Sequence, residues 1–230
     1  MTPTPVHLAG EKLFLDPQGA LFWPEQRLLA AADLHLEKGS AAATRGSLLP
    51  PWDTKTTLDR LALLVRRYAP RALVALGDSF HDRDAAARLH PHDAARLNGI
   101  VQAVERFVWV LGNHDPHPPG GVGGQATTVW IEGGLVFRHQ AAPGAKPGEI
   151  SGHFHPKAQV PTKGALVTRA CFVCDGRKIL LPALGAYTGG LDVRSPAIAK
   201  LFPRGGRVFL LGKDRLYSFA MTGGVPITAV

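Results

Sequence analysis

Residues 27–35 read Arg-Leu-Leu-Ala-Ala-Ala-Asp-Leu-His, a short apolar run that ends in an Asp-x-His pair. A run of this kind, without polar alternation, is typical of a buried strand in a parallel sheet. Two more runs follow the same pattern, since residues 72–76 precede a Gly-Asp pair and residues 107–111 precede Gly-Asn-His-Asp. Loops beyond the carboxyl ends of strands are where α/β sheets bind ligands. The three runs therefore predict an α/β fold with a site at one edge of a sheet.

Two helical patterns separate these runs. The first predicts a helix that opens after Pro51 and ends at about residue 67, with Asp53 or Thr54 as its N-cap. The second covers about residues 84–106 and is interrupted near Pro91, because proline removes a helix hydrogen bond and restricts the residue before it. The first half of the chain thus alternates strand and helix.

The second half of the chain predicts strands joined by turns. The predicted strands cover residues 128–132, 135–139, 168–173, 178–181, 208–211 and 216–219. The glycine-rich residues 120–124 are a loop, because no helix with a phosphate-binding start follows them. Alternating strands and helices followed by a strand-rich half predict a single domain over residues 1–230, an α/β sandwich of two sheets flanked by helices.

Composition places the chain among folded proteins without a membrane span. Of its 230 residues, 45% are hydrophobic and 19% are charged, and no apolar run approaches the roughly 18 residues that a span needs. Residues 1–5 lack the basic and apolar regions of a secretory signal. The two cysteines, Cys171 and Cys174, cannot build a disulfide framework and face opposite ways on a strand, so we expect buried thiols. We expect a cytoplasmic protein.

The charge balance favours a polyanionic partner such as nucleic acid. Lysine and arginine number 26 and aspartate and glutamate 18, which gives a net charge of +8. Lys38, Arg45 and Lys157 adjoin the polar clusters and are candidates for substrate phosphates, with solvated surface positions as the alternative. His81, which follows the second run, either contacts substrate or supports the site.

The polar clusters offer seven candidate metal ligands. They are three oxygen donors and four imidazoles: Asp33, Asp78, Asn113, His35, His139, His153 and His155. A mixed nitrogen and oxygen set without thiolate suits Mn²⁺, Fe²⁺ or Zn²⁺. Seven ligands are too many for one catalytic ion that keeps an open position, whereas a bridging carboxylate would give each of two ions four contacts. The clusters therefore predict a site for two divalent ions.

The order of these clusters resembles the signature of the calcineurin-like metallophosphoesterase superfamily: Asp-x-His, Gly-Asp, Gly-Asn-His-Asp, His, and Gly-His-x-His. A narrower resemblance is to the bacterial ligase-associated metallophosphoesterases, and it rests on residues 32–39, 76–82, 151–156 and 181–191. The resemblance implies a two-sheet αββα sandwich that hydrolyses phosphodiesters with a metal-activated bridging water. It covers nearly the whole chain.

The resemblance also implies a role for each residue. One ion is held by Asp33, His35, Asp78 and His155. The other is held by Asp78, Asn113, His139 and His153, with Asp78 bridging. His114 gives a proton to the leaving group, and Asp115 fixes the tautomer and orientation of its ring. We expect manganese as the metal, with iron or zinc as alternatives.

The ligase-associated group is found with a DNA ligase and a helicase, so the resemblance implies a nuclease that acts on DNA in a repair setting. Two alternatives stay open at this point. One is hydrolysis of a small phosphodiester, a cyclic nucleotide or a lipid pyrophosphate on the same metal core. The other is a scaffold without enzymatic activity that keeps the metals and binds a repair partner.

Overall fold

The first of two sheets contains the strands of the N-terminal half. The computed structural model describes residues 1–117, 120–142, 144, 146–162 and 164–221. The strands of this sheet are β1 (Thr4–Leu8), β2 (Glu11–Leu15), β3 (Leu21–Trp23), β4 (Leu28–Ala32), β5 (Ala72–Leu76), β6 (Arg106–Val110) and β7 (Gln125–Thr127). They lie side by side in chain order, antiparallel from β1 to β4 and parallel from β4 to β7. Every residue of β4 and β5 is buried, which explains their uninterrupted apolar sequences.

The second sheet contains eight strands. They are β8 (Val129–Glu132), β9 (Leu135–Arg138), β10 (Glu149–Ser151), β11 (Lys157–Thr162), β12 (Ala165–Cys174), β13 (Lys178–Leu180), β14 (Gly206–Leu211) and β15 (Leu216–Met221). Their order across the sheet is β15-β14-β12-β13-β10-β9-β8, and β11 pairs with β12. Strands β9, β10 and β13 are parallel, and the other pairs are antiparallel.

Five helices lie in the described part of the chain. They are α1 (Lys38–Thr44), α2 (Asp53–Tyr68), α3 (Ala85–Arg88), α4 (Pro91–Gln102) and α5 (Pro196–Ala199). Leu61 of α2 and Leu97 of α4 pack in one buried cluster with the outer face of the first sheet. Ile198 of α5 belongs to a second cluster on the outer face of the second sheet. Among the described residues, none of the helices has both the length and the apolarity that a membrane crossing requires.

The largest core lies between the two sheets. Trp23 of the first sheet and Phe137 and Phe172 of the second are fully buried in it. Burying such aromatic side chains is a principal favourable term in folding, at about 25 cal/mol for each Å² of apolar surface removed from water. The layers are therefore helix, sheet, sheet, helix, and the predicted two-sheet αββα sandwich is confirmed.

The helix predictions were right about position and wrong about one cap. Proline 91 opens α4, so the predicted interruption is real, and α4 ends four residues earlier than expected, at Gln102. The N-cap of α2 is Trp52, and no side chain caps the helix. Asp53 and Thr54, which we expected at that cap, bond instead to the loop after β4.

The two cysteines lie on opposite faces of β12, as their spacing predicted. Cys174 faces the core between the sheets, whereas Cys171 faces the outer cluster that contains α5. Both thiols are free and buried, and burial raises the pKa of each. They are packing residues of the second sheet.

Candidate metal centre

The parallel strands of the first sheet bring four candidate ligands to one edge. Ala32, Leu76 and Val110 are the last residues of β4, β5 and β6, and they are aligned across the sheet. The loops that follow carry Asp33 and His35, Asp78, and Asn113. The predicted site therefore lies where the carboxyl ends of three adjacent strands meet.

The second sheet brings the other three candidate ligands to the same place. Strands β9 and β10 are parallel with Arg138 opposite Ser151. His139 follows β9 directly, and His153 and His155 follow β10. A hydrogen bond of 2.9 Å from the backbone N–H of His153 to the side-chain Oδ2 of Asp33 joins this loop to the loop after β4. The site is thus built at the seam between the sheets.

The first group of ligand atoms comes from Asp33, His35 and His155. The Nε2 atoms of His35 and His155 are 3.3 Å apart, and Asp33 Oδ1 is 3.4 Å from Nε2 of His155. Asp33 is fully buried and His35 nearly so. Burial, and then the charge of His155, lowers the pKa of His35 to about 3, so this imidazole is neutral and able to coordinate a cation.

The second group comes from Asp78, Asn113, His139 and His153. Nε2 of His139 is 3.0 Å from Asn113 Oδ1, 3.0 Å from Nδ1 of His153 and 3.4 Å from Asp78 Oδ2. These are the four residues that the resemblance assigned to the second ion. The structure brings them together, and it places His139 at their centre although no motif surrounds it in the sequence.

Asp78 lies between the two groups. Its Oδ1 accepts a hydrogen bond of 2.9 Å from the backbone N–H of His114. Its Oδ2 is 3.4 Å from Nε2 of His139 and 3.9 Å from Nε2 of His35, one atom from each group. Burial alone would raise the pKa of Asp78, but the bond to His139 and the nearby imidazoles hold it at about 2. An ionised oxygen thus lies where a bridging ligand is required.

Five of the seven candidate ligands have a left-handed backbone. The φ angles are 53° at Asp33, 42° at His35, 45° at Asp78, 73° at His153 and 45° at His155. This region is uncommon for residues with a Cβ and costs about 1 to 3 kcal/mol at each position. The fold stabilises an unfavourable backbone at these residues, which is characteristic of functional sites.

The ligand atoms suit cations because nitrogen and oxygen atoms that carry lone pairs lie close to one another. Nδ1 of His139 is 3.3 Å from the carbonyl oxygen of Leu76, so a proton on Nδ1 leaves Nε2 as a lone-pair donor among the atoms of the second group. Burial opposes a positive charge on His139, yet Asp78 and Asp33 raise its pKa overall. The site favours positive charge at this position, and nitrogen and oxygen donors without a thiolate suit borderline to hard divalent ions.

Asp115 has a different role from the one we predicted. Its carboxylate accepts four backbone N–H bonds, from Asp78 (3.0 Å), Ser79 (2.7 Å), Phe80 (3.1 Å) and Gly112 (3.0 Å). These bonds tie the loop after β5 to the loop after β6. Burial raises the pKa of Asp115 to about 6 although these donors oppose the rise. The prediction that Asp115 orients the ring of His114 is wrong, since its oxygens are engaged by the main chain.

The ring of His114 is oriented by a carbonyl instead. Its Nδ1 is 2.7 Å from the carbonyl oxygen of His81, and its Nε2 is 4.0 Å from Asp78 Oδ2. The side chain is 41% exposed, so a substrate can reach the ring. Gly112 allows the loop after β6 to lie close to Asp78, because a Cβ at Gly112 would collide with Asp78 Oδ1.

Of the predicted substrate-binding residues, His81 contacts a ligand of the centre directly. His81 Nδ1 is 3.3 Å from Nδ1 of His35, and the His81 and His114 rings stack with centroids 5.5 Å apart. The pKa of His81 is lowered first by burial and then by the charge of Lys38, with a smaller effect of Arg45. His81, Lys38 and Arg45 therefore share one electrostatic environment.

Two residues that no sequence pattern indicated hold the end of the loop after β4 and the start of α1. Thr54 Oγ1 accepts the N–H of Glu37 and donates to Glu37 Oε1, each at 2.9 Å. Asp53 Oδ2 accepts the N–H of Gly39 at 3.0 Å. These bonds fix the backbone next to His35 and Lys38. Asp53 and Thr54 resemble ordinary helix-start residues, so only the tertiary structure reveals this role.

Comparisons with known proteins agree with this geometry. A family model described as calcineurin-like phosphoesterase matches residues 26–165, which contain all seven candidate ligands. No curated protein sequence matches the chain. The crystal structure of the Pseudomonas putida nuclease MPE is 27% identical with a TM-score of 0.73, and the match covers 94% of this chain and 100% of that one. Yfce, a phosphoesterase from E. coli, is 17% identical with a TM-score of 0.40 over 85% of this chain and 99% of that one.

Proposed function

We propose that this chain, which belongs to the calcineurin-like phosphoesterase family and is a metal-dependent phosphoesterase, hydrolyses phosphodiester bonds in nucleic acid with two divalent ions. The observation that carries the proposal is the position of Asp78 Oδ2 between an imidazole of one ligand group and an imidazole of the other. Manganese is the metal we propose, with iron and zinc as alternatives, because the donors are imidazole nitrogens and carboxylate or amide oxygens.

The ligand assignment follows from the two groups. The first ion would be held by Asp33, His35, Asp78 and His155. The second ion would be held by Asp78, Asn113, His139 and His153. When bound, such a pair of ions polarises a phosphate and activates water for in-line attack.

His114 is the residue that we propose for proton delivery. Because Nδ1 faces the carbonyl of His81, the proton that moves is the one on Nε2. A leaving alkoxide needs such a proton more than an activated leaving group does. Asp115 contributes by holding the loops on which Asp78 and His114 lie.

Charge and similarity support nucleic acid as the substrate. The net charge is +8, and His81 contacts His35. We propose that His81, Lys38 and Arg45 contact the phosphates of the substrate. The Pseudomonas putida structure, which aligns over nearly the whole chain, is of a nuclease. We propose DNA as the substrate, in a cytoplasmic repair setting with a functional link to a DNA ligase and a helicase, on the motif resemblance at residues 32–39 and 181–191.

The second candidate function is hydrolysis of a small phosphodiester or a pyrophosphate. The same ligand groups would serve this reaction, because two ions can clamp a phosphate ester of any size. The test is to strip the protein of metal, restore Mn²⁺, Fe²⁺, Zn²⁺ or Mg²⁺, and assay single-stranded DNA, double-stranded DNA, RNA, an aryl phosphodiester and an aryl phosphomonoester.

We expect cleavage of nucleic acid that depends on Mn²⁺ and stops with excess chelator. The Asp78→Asn protein, purified in parallel, controls for contaminating nucleases. Turnover of the aryl diester without any cleavage of nucleic acid would replace the proposal by the small-substrate alternative. Full activity in excess chelator would contradict both.

A further inference from the structure

The segment 183–191 is anchored at both ends to loops that carry ligands of the first group. It begins beside β4, where the N–H of Leu184 donates to Ala32 at 2.9 Å and the N–H of Gly185 donates to Asp33 at 3.1 Å. It ends beside the loop after β10, where the N–H of Leu191 donates to Phe154 at 3.2 Å. The segment therefore connects the loop of Asp33 with the loop of His155, and Tyr187 lies in this connection.

Tyr187 occupies the middle of the segment with its ring in solvent. Its side chain is 43% exposed, and its φ is 59°, a backbone state that is a genuine outlier for a bulky residue. Both neighbours are fixed, because the N–H of Ala186 donates to Thr57 Oγ1 at 3.0 Å and Thr188 Oγ1 donates to the carbonyl of Gly185 at 3.0 Å. The fold thus holds an exposed tyrosine in this connecting segment and accepts backbone strain to do so.

A lysine binds the segment next to Tyr187. Lys157 Nζ donates to the carbonyl of Thr188 at 3.1 Å, directly after Tyr187. Lys38 opens α1, shortly after the candidate ligand His35. An exposed aromatic ring next to a lysine is a combination with which proteins bind single nucleic-acid strands.

We propose that Tyr187 is a substrate-binding residue whose ring stacks on one unpaired base next to the cleaved phosphodiester, while Lys38 and Lys157 contact neighbouring phosphates. This inference rests on the proposed function and adds the group that places the strand over the metals. Stacking suits a nuclease without sequence preference, because every base has a π-face. A ring on a fixed backbone loses little conformational freedom when it binds.

Three variants distinguish the effect of the Tyr187 ring from an effect of its backbone conformation. Tyr187→Asn removes the ring but keeps a residue that tolerates positive φ, so loss of the fold is not expected. Tyr187→Phe keeps the ring and removes the hydroxyl. Tyr217→Asn is the matched control, because Tyr217 is 46% exposed but lies on β15, at the far edge of the second sheet.

The substrates are short DNA strands in which one abasic residue is moved along the sequence. The rate at each phosphodiester, read on a sequencing gel, gives the effect of the missing base as a function of its distance from the cleaved bond. For the wild-type protein we expect one offset at which the abasic residue lowers kcat/KM about 5- to 100-fold, the range of base stacking on an aromatic side chain.

Tyr187→Asn should lower kcat/KM on intact strands by a similar factor. It should also abolish the effect of the abasic residue at that offset, because the substitution and the missing base remove the same stacking interaction. Tyr187→Phe and Tyr217→Asn should behave as wild type. The same offset profile in Tyr187→Asn as in wild type would overturn the inference while leaving the nuclease proposal intact. A wild-type protein that cuts no nucleic acid would remove both.

Discussion

The two carboxylate oxygens of Asp78 have different neighbours, and this asymmetry makes the residue the most sensitive point of the site. Oδ1 is occupied by the N–H of His114, whereas Oδ2 faces imidazoles of both ligand groups. We predict that Asp78→Asn lowers turnover by more than about 100-fold and reduces the bound metal below two ions per chain, because the amide loses the charge that both ions share. Activity assays and elemental analysis of the dialysed protein measure the two effects.

The control for this substitution is Asp59→Asn, the same change at a half-exposed residue of α2. It should keep two ions and full turnover. If Asp78→Asn keeps both ions as tightly as wild type, Asp78 is not the bridging ligand.

His114 is predicted to act on the leaving group rather than on the metals. His114→Ala should lower kcat on alkyl diesters and nucleic acid by about 100-fold, the usual contribution of general acid catalysis, and should affect an activated aryl ester less. Elemental analysis should still find both ions. His92→Ala, on the exposed face of α4, is the control. Equal loss on both ester types, accompanied by loss of metal, would make His114 a ligand.

At the residue scale, sequence order located the seven candidate ligands but not the contacts that fix them. Asp-x-His and Gly-His-x-His are recognisable because residue type and spacing follow from coordination chemistry. Thr54 and Glu37 are 17 residues apart in the sequence, and no regular spacing marks the hydrogen bond between them. The role of Asp115 was misjudged for the same reason, since backbone N–H groups of another loop are invisible in a sequence.

Among the elements, α2 is tied to the first sheet by a buried carboxylate. Asp16, in the turn after β2, accepts hydrogen bonds of 2.6 Å from Arg67 Nη1 and from the hydroxyl of Tyr68. Burial, and then the bond to Asp16, raises the pKa of Tyr68 well above its ordinary range. The helix that supports Glu37 through Thr54 is thus anchored at its other end.

Because the fold raises the pKa of Tyr68, we expect the free energy of unfolding to fall at alkaline pH. A tyrosine whose folded pKa is raised stabilises the fold below its unfolded pKa of about 10, and the stabilisation is lost as pH rises above that value. We predict that the unfolding free energy of wild type falls, relative to Tyr68→Phe, by up to about 1.4 kcal/mol per pH unit above pH 10. Urea unfolding of both proteins between about pH 8 and pH 11 measures this difference, with Tyr217→Phe as the control. Parallel curves for wild type and Tyr68→Phe would contradict the prediction.

The elements themselves were predictable to different degrees. β4 and β5 are buried on both faces, so their apolar runs marked them clearly. β3, β7 and β10, which were not predicted, have three residues each, too few to show a period of two, and the longer β1, β2 and β11 were also missed. They exist because neighbouring strands supply their hydrogen bonds, and that information lies elsewhere in the chain.

For the whole molecule, the excess of positive charge predicts salt-sensitive binding of nucleic acid. Single-stranded DNA should bind the metal-loaded His114→Ala protein with a log-log salt slope of about −3, as expected for four or five neutralised phosphates. A small phosphodiester should show a shallow slope, because it releases few counterions. Fluorescence anisotropy across a salt series provides the measurement, and a flat slope with DNA would favour the small substrate.

The central claim is that seven side chains from both sheets hold two divalent ions as one pair. Electron paramagnetic resonance of the protein loaded with two equivalents of Mn²⁺ tests it most directly, because ions about 3.5 to 4 Å apart are magnetically coupled. We predict the broad spectrum of a coupled manganese pair in the wild-type protein and its loss in Asp78→Asn. A six-line spectrum of isolated ions, or binding that saturates at one equivalent, would contradict the claim.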